Sequence, residues 1–278
     1  MNNAEFKKSE TFVKLITPMH PLDLAGMPQV FRVTAIERGE LASGTVETAI
    51  LFHEQASLTV RYKSDLSVRP INIGDLVSPR WLNPTTSAGG ALNIKYLLPV
   101  DRPNADENLF LSVPHEWVRD RNLLREAACL MQALPLPYRH LFNAIFWDGG
   151  RFQSFCTAPG ALGSSEAADN GTLRHAVEVA GQILKKTGSH RLGFDAVAIL
   201  AGFLQDAGRF NDAQCCRPPR DGMALSGQYR RITVIEWIAK ARVQWHLSIP
   251  NDQYSALMRH LVPGQQKPSL REKVDSVA

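Results

Sequence analysis

The chain has 278 residues, enough to bury a sizeable core as one large domain or two smaller ones, and a polar linker around residue 104 favours two. With 44% hydrophobic and 21% charged residues it reads as an ordinary soluble globular protein, and no apolar run approaches the roughly 20 residues that span a bilayer. The net charge of +4 permits nucleic-acid binding without arguing for it, and the start MNNAEFKKSE lacks the apolar core of a signal peptide, so a cytoplasmic protein with no membrane partner is expected.

Residues 1 to 24 begin polar and become TFVKLITPMHPLDL, an extended segment punctuated by Pro18 and Pro21. From Val30 the sequence alternates apolar and polar residues in the manner of strands: VFRVTAIERGE, GTVETAILFHEQ and SLTVRYKSDL, with turns expected at Gly39, Ser43-Gly44 and Glu54-Gln55. A fourth strand follows Gly74-Asp75 and runs to Trp81, and ALNIKYLLPV closes the set after the hairpin loop TTSAGG. Five short strands of this spacing fit a small Greek-key barrel of the oligonucleotide-binding (OB) type, and other small barrels equally. Arg32, Arg61, Tyr62, Lys63, Arg69, Arg80, Trp81, Lys95 and Tyr96 are expected to point outward, mixing cations with aromatic rings. Such a surface binds single strands by phosphate attraction and base stacking, worth about 1 to 3 kcal/mol per stacked base. The alternative packs Trp81 and Tyr96 inside the barrel and leaves the arginines solvated.

The polar run DRPNADEN, Asp101 to Asn108, is the expected linker, dividing an α+β chain into a barrel over 1–104 and an all-α domain over 105–278. Pro114 is expected to open a first helix, PHEWVRDRNLLREAACLMQAL, and PYRHLFNAIFWDGG to form a second that stops at Asp148-Gly149-Gly150. RFQSFCTAPGAL then leads to two apolar-periodic helices, Leu173 to Lys185 and Phe194 to Leu204. His175 lies on the first, after a Gly-rich start, and Asp206 just past the second, where a carboxylate so close to AVAILAGFL needs a metal, an arginine or a helix end as partner. A loop-rich stretch follows with Arg209, Arg217 and Arg220, then Arg230 and Arg231, which could cradle a phosphodiester or simply pair with Asp212 and Asp221. ITVIEWIAKARVQWHLSI, DQYSALMRHLV and SLREKVDSVA complete the helices. Cys129, Cys156, Cys215 and Cys216 form no CxxC pair and read as reduced thiols. P-loop, GxGxxG and GxSxG signatures are missing from the sequence, as are internal repeats.

Two stretches carry a resemblance. Asn170-Gly171-Thr172-Leu173-Arg174-His175 and Leu204-Gln205-Asp206-Ala207-Gly208-Arg209 resemble the Gly-Gly-Leu-Leu-x-His-Thr and His-Asp-x-Gly-Lys frames of HD-domain metal-dependent phosphohydrolases. The match is closest to the YhaM-type 3′-to-5′ exoribonucleases and the related HD modules of conjugative-transfer proteins. The resemblance implies an OB barrel ahead of an HD-like helical domain, a divalent ion (Mn, Mg or Fe) held by His175, Asp206 and, in a looser correspondence, Asp275, with His260 nearby, and Arg209 beside the substrate phosphate. It also implies oligomers. The departures run one way: Gln205 stands for the His of the doublet, Gly227-Gln228 for Gly-His, Leu261-Val262-Pro263-Gly264 for Ser-His-His-Gly, and the stretch from Ala158 to Glu166 lacks its histidines. An amide is a much poorer ligand for a transition metal than imidazole, and a catalytic ion needs about three protein ligands.

The expectation is therefore a binder of single-stranded RNA or DNA on an exonuclease-like scaffold that needs no cofactor, with Arg61, Tyr62, Lys63, Arg80, Trp81, Lys95, Tyr96, Arg217 and Arg220 as contacts. A metal-dependent 3′-to-5′ exonuclease or phosphodiesterase with a reduced ligand set is the enzymatic alternative. A third possibility is a protein adaptor, as a homo-oligomer or a subunit of a larger nucleic-acid-processing or conjugative-transfer complex, since barrels of this kind also bind proteins.

Overall fold

The strands are built on the two-residue period of their side chains. A computed structural model describes residues 26–41, 44–64, 69–81, 85–86, 90–160, 169–187, 192–205, 207–208 and 223–262. Strands β1 (Phe31–Leu41), β2 (Gly44–His53), β3 (Ala56–Lys63), β4 (Leu76–Arg80), β5 (Thr85–Thr86), β6 (Leu92–Asn93) and β7 (Tyr96–Pro99) precede all the α-helices, so the chain is α+β with a curled mixed sheet first and helices after. Leu58, Val60 and Tyr62 of β3 are buried while the alternate residues Ser57, Thr59 and Lys63 are exposed and Arg61 is half-buried, as a half-buried strand requires.

The pairings make a circuit. β1 runs antiparallel to both β2 and β4, and β2 antiparallel to β3. The stretch from Leu92 to Pro99 then begins parallel to β3 as β6 and ends antiparallel to β4 as β7. At the crossing, Ile94 N donates to Arg61 O at 3.0 Å and Lys95 N donates to Arg80 O at 3.1 Å. One segment thereby joins the third strand to the fourth and leaves neither edge open there. Inside the curl, Phe31, Val33, Leu51, Leu58, Val60, Ile71, Val77, Ile94 and Leu97 form one apolar core. Gly39 is not a turn: it continues β1 opposite Val46, because the Arg38↔Glu47 and Glu40↔Thr45 pairs on either side hold the ladder.

The helices are α1 (Arg121–Ala133), α2 (Leu136–Phe146), α3 (Gly149–Thr157), α4 (Gly171–Thr187), α5 (Leu192–Leu204), α6 (Met223–Gln244) and α7 (Asn251–Leu261). Caps set two boundaries that the sequence reading misplaced. Asp120, not Pro114, starts α1, its carboxylate accepting from Asn122 N and Leu123 N at 3.1 Å. Asp148 does not merely end α2; it caps a further helix, α3, through Gly150 N and Arg151 N, in the stretch expected to be a connection. Phe110, Phe142, Phe146, Phe152, Phe155 and Phe203 pack ring against ring at the centre of this second core. Helices α4 and α5 form an antiparallel hairpin so close that a Cβ on Gly202 would lie 3.2 Å from Ala180 N. No helix among the described residues is long and apolar enough to cross a membrane.

The expected linker is tied down. Asn143 Nδ2 donates to the carbonyls of Asn104 and Glu107 at 2.5 and 2.8 Å, Asn108 caps the 3-10 turn Leu109–Ser112, and Trp147 Nε1 donates to Val100 O at 2.6 Å. The two cores meet at Arg32, which is fully buried rather than outward-facing. Its guanidinium donates to Gly74 O at 2.7 Å and to Ser112 O and Oγ at 3.1 to 3.2 Å, and lies between the rings of Trp117 and Phe152 at 5.1 and 5.0 Å. Burial pulls its pKa down to about 10, partly offset by Cys156 and Asp75 nearby. Phe31 and Val33 face the sheet core; residue 32 faces the other side of the strand, where the helices stand.

Candidate nucleic-acid interface

The expected metal site is described only in part. His175 is half-buried on α4 and Gln205 half-buried just beyond α5. The antiparallel packing at Gly202 and Ala180 brings the His175 end of one helix alongside the Gln205 end of the other. Asp206, Arg209, Arg217, Arg220 and Asp275 lie outside the described residues. His260 is exposed near the end of α7, and Gly227-Gln228 falls within α6. Among the described residues no group of three His, Cys, Asp or Glu side chains is placed to share a metal ion. The frame around His175 has a structural use of its own: Asn170, at φ 65°, donates through Nδ2 to Trp117 O and Cys156 O at 2.8 Å, and Thr172 Oγ1 donates to Pro159 O at 3.0 Å.

The sheet residues divide by strand parity and by place. Lys63, Arg80 and Lys95 are exposed, Tyr96 is 41% exposed, and Arg61 is half-buried. Arg80 stands opposite Tyr96 in the β4/β7 ladder, while Arg61 meets the same segment one step earlier through its carbonyl. The crossing of residues 92–99 from β3 to β4 therefore gathers Arg61, Arg80, Lys95 and Tyr96 at one site. Lys95 Nζ lies 4.9 Å from the centre of the Tyr96 ring, a cation on the face of an exposed aromatic.

Two expected contacts are corrected. Tyr62 points inward, 6% exposed, and donates to Glu47 Oε2 at 2.6 Å. Burial and that hydrogen bond push its phenol pKa well up, and the ring gives no stacking face on the outer surface of the sheet. Trp81 is half-buried against the sheet core, so its ring supports the curled sheet. Arg69 is exposed, in keeping with its expected outward position, and is engaged by Asp75 and Asp101 at 2.8 and 3.0 Å. The sequence reading passed over Glu47. Its signal was period: Glu47, Ala49 and Leu51 occupy alternate positions of β2, so an ionisable group sits in an otherwise inward series. It is 8% exposed in its side chain and held by Arg38 Nε at 3.0 Å as well as by Tyr62.

Comparison with protein-family models, with curated proteins and with solved structures gives no match for this chain.

Proposed function

We propose that this protein binds single-stranded RNA or DNA on an OB-like barrel, and that its helical part is an HD-like scaffold whose metal chemistry has been given up. The observation that carries the reading is the Lys95–Tyr96 pair at the strand crossing, with Arg80 opposite and Arg61 adjoining. An exposed ring offers a stacking face to any base, and cations beside it neutralise the phosphates that follow, so a single strand is the ligand for which both are used. The circuit of pairings, with a final strand parallel to the third and antiparallel to the fourth, supports the OB-like description of residues 26–104.

The α4/α5 hairpin supports the HD-like description of the rest, since it sets His175 and Gln205 at the same end of two adjoining helices. Gln205 in place of an imidazole carries the inactive reading, because the carboxamide gives a weak bond to manganese or iron. The test is titration of the full chain with a labelled oligonucleotide of about ten nucleotides, a length within the 4–16 that one such barrel covers. Single strand is expected to bind and matched duplex to bind much more weakly. Equal affinity for duplex would remove the stacking argument and leave only charge.

A further inference from the structure

The mouth of the curled sheet, beside Tyr96, holds a cavity of about 300 Å³ that the strand-binding face does not account for. Its floor is apolar, with Ile71 and Leu97 buried, and Pro70 forms part of its wall. Its inner end is polar: the Glu47 carboxylate takes Tyr62 OH on Oε2, and Arg38 Nε and Ser64 Oγ on Oε1 at 3.0 and 3.4 Å. Lys63 stands on its rim, and among the described residues no carboxylate lies within ion-pair distance of it.

We infer that this cavity is a nucleotide pocket, which takes one base and its phosphate from the strand. The choice of a nucleotide as ligand rests on the nucleic-acid reading; the rest rests on the cavity. Ligand pockets run from about 300 to 1,000 Å³ and are found at the mouths of β-barrels, so the space suits one flat unit and not a folded oligonucleotide. A base would lie on the Ile71 and Leu97 floor with Tyr96 at the lip. Glu47 and Arg38 neutralise each other and so fix the inner wall without repelling an anion, and Arg69, also on the lining, is held by Asp75 and Asp101, which leaves Lys63 as the rim cation with no carboxylate within ion-pair distance among the described residues. The ligand of complementary form has an apolar plane and a negative group at its edge. Tyr96 lines the cavity and is also exposed beside Lys95, so a strand crossing the outer face would pass the mouth at that ring.

The experiment uses the full chain and two probes, adenosine 5′-monophosphate alone and the labelled oligonucleotide. Pro70→Trp and Ser64→Phe each fill the cavity from positions that are not buried, and Arg125→Ala, exposed on α1 and not part of the cavity lining, is the control. The mononucleotide is expected to bind the natural protein and the control alike and to bind the filled variants at least about tenfold more weakly, a change of about 1.4 kcal/mol. Thermal melting shows whether each variant has folded, and two independent fillings keep the test decisive if one has not. The same mononucleotide affinity in folded filled variants, no mononucleotide binding, or full competition by inorganic phosphate alone would each overturn the pocket. If that happens while the oligonucleotide still binds, the strand-binding reading stands and only the pocket falls. Mononucleotide binding that the fillings abolish, in a protein that binds no oligonucleotide, would keep the pocket and remove the strand.

Discussion

Gly149, the first residue of α3, meets the backbone of Gly74 so closely that a Cβ built on it would overlap the Gly74 carbonyl oxygen. That oxygen also accepts the 2.7 Å hydrogen bond from buried Arg32, and Gly74 itself holds φ at +93°. Three constraints therefore converge on one peptide group where the sheet meets the helices.

Gly149→Ala is expected to lower unfolding free energy by about 1 to 3 kcal/mol, because the added methyl group faces backbone and cannot be accommodated by a rotamer change. Gly150→Ala, whose Cβ would come no nearer than 3.4 Å to Asp148 Oδ1, should stay within about 0.5 kcal/mol. Urea midpoints of the two variants measure the difference. Equal midpoints would show that the sheet and helices can separate there without cost.

Arg32→Ala should cost about 2 to 5 kcal/mol, since it strands the neutral acceptors on Ser112 and Gly74 and leaves a void between Trp117 and Phe152. Arg32→Lys should recover little of this, because an ammonium cannot reproduce a planar fork aimed at two separate acceptors. Denaturant unfolding of both variants decides it; a lysine variant as stable as the natural protein would mean that charge alone matters there.

The Tyr62 phenol gives a pH dependence of definite sign. Its pKa is raised in the folded protein above the ordinary 10.0, by burial first and by the Glu47 hydrogen bond second. Its contribution to stability is therefore full below pH 10 and is lost as pH rises past that value, where the unfolded chain gives up the proton and the folded one retains it. Tyr62→Phe should unfold at a lower denaturant concentration at pH 8 and show a shallower decline toward pH 11. Arg32 titrates with the opposite sign but is common to both proteins, so the difference between them isolates Tyr62. Parallel declines would contradict the assignment.

On the proposed reading of Gln205, millimolar Mn²⁺ should leave the melting temperature of the natural protein unchanged, and chelation should do the same. A ligand present at about 100 times its Kd stabilises a folded protein by about 2.7 kcal/mol, enough to be plain in a melting curve. A manganese-dependent rise of several degrees, or strand shortening in its presence, would restore the enzymatic alternative.

Much of the sheet was readable from the chain because alternation is local: the alternation of Leu58 and Val60 with Ser57 and Thr59, and the hairpin at Glu54-Gln55, follow from period and turn chemistry. The burial of Tyr62 and Arg32 was not readable. Parity says which residues share a face, but which face is covered depends on packing across the molecule, and β1 is covered on both sides where the helices dock. Helix α3 was lost for a related reason. Asp148-Gly149-Gly150 carries turn chemistry, and only the accepted amide hydrogen bonds distinguish a stop from a cap. The crossing that gathers Arg61, Arg80, Lys95 and Tyr96 joins residues distant in sequence, so their proximity is a result of topology.

The most direct test of the proposed strand binding is the salt dependence of oligonucleotide affinity, measured for the natural protein, Tyr96→Ala and Lys95→Ala. Affinity should fall linearly on a log-log plot against salt; Lys95→Ala should reduce the slope by about one, the share of a single phosphate contact. Tyr96→Ala should weaken binding by about 1 to 3 kcal/mol while leaving the slope unchanged, as loss of a stacked base does. No binding at low salt, or binding that neither substitution alters, would contradict the account.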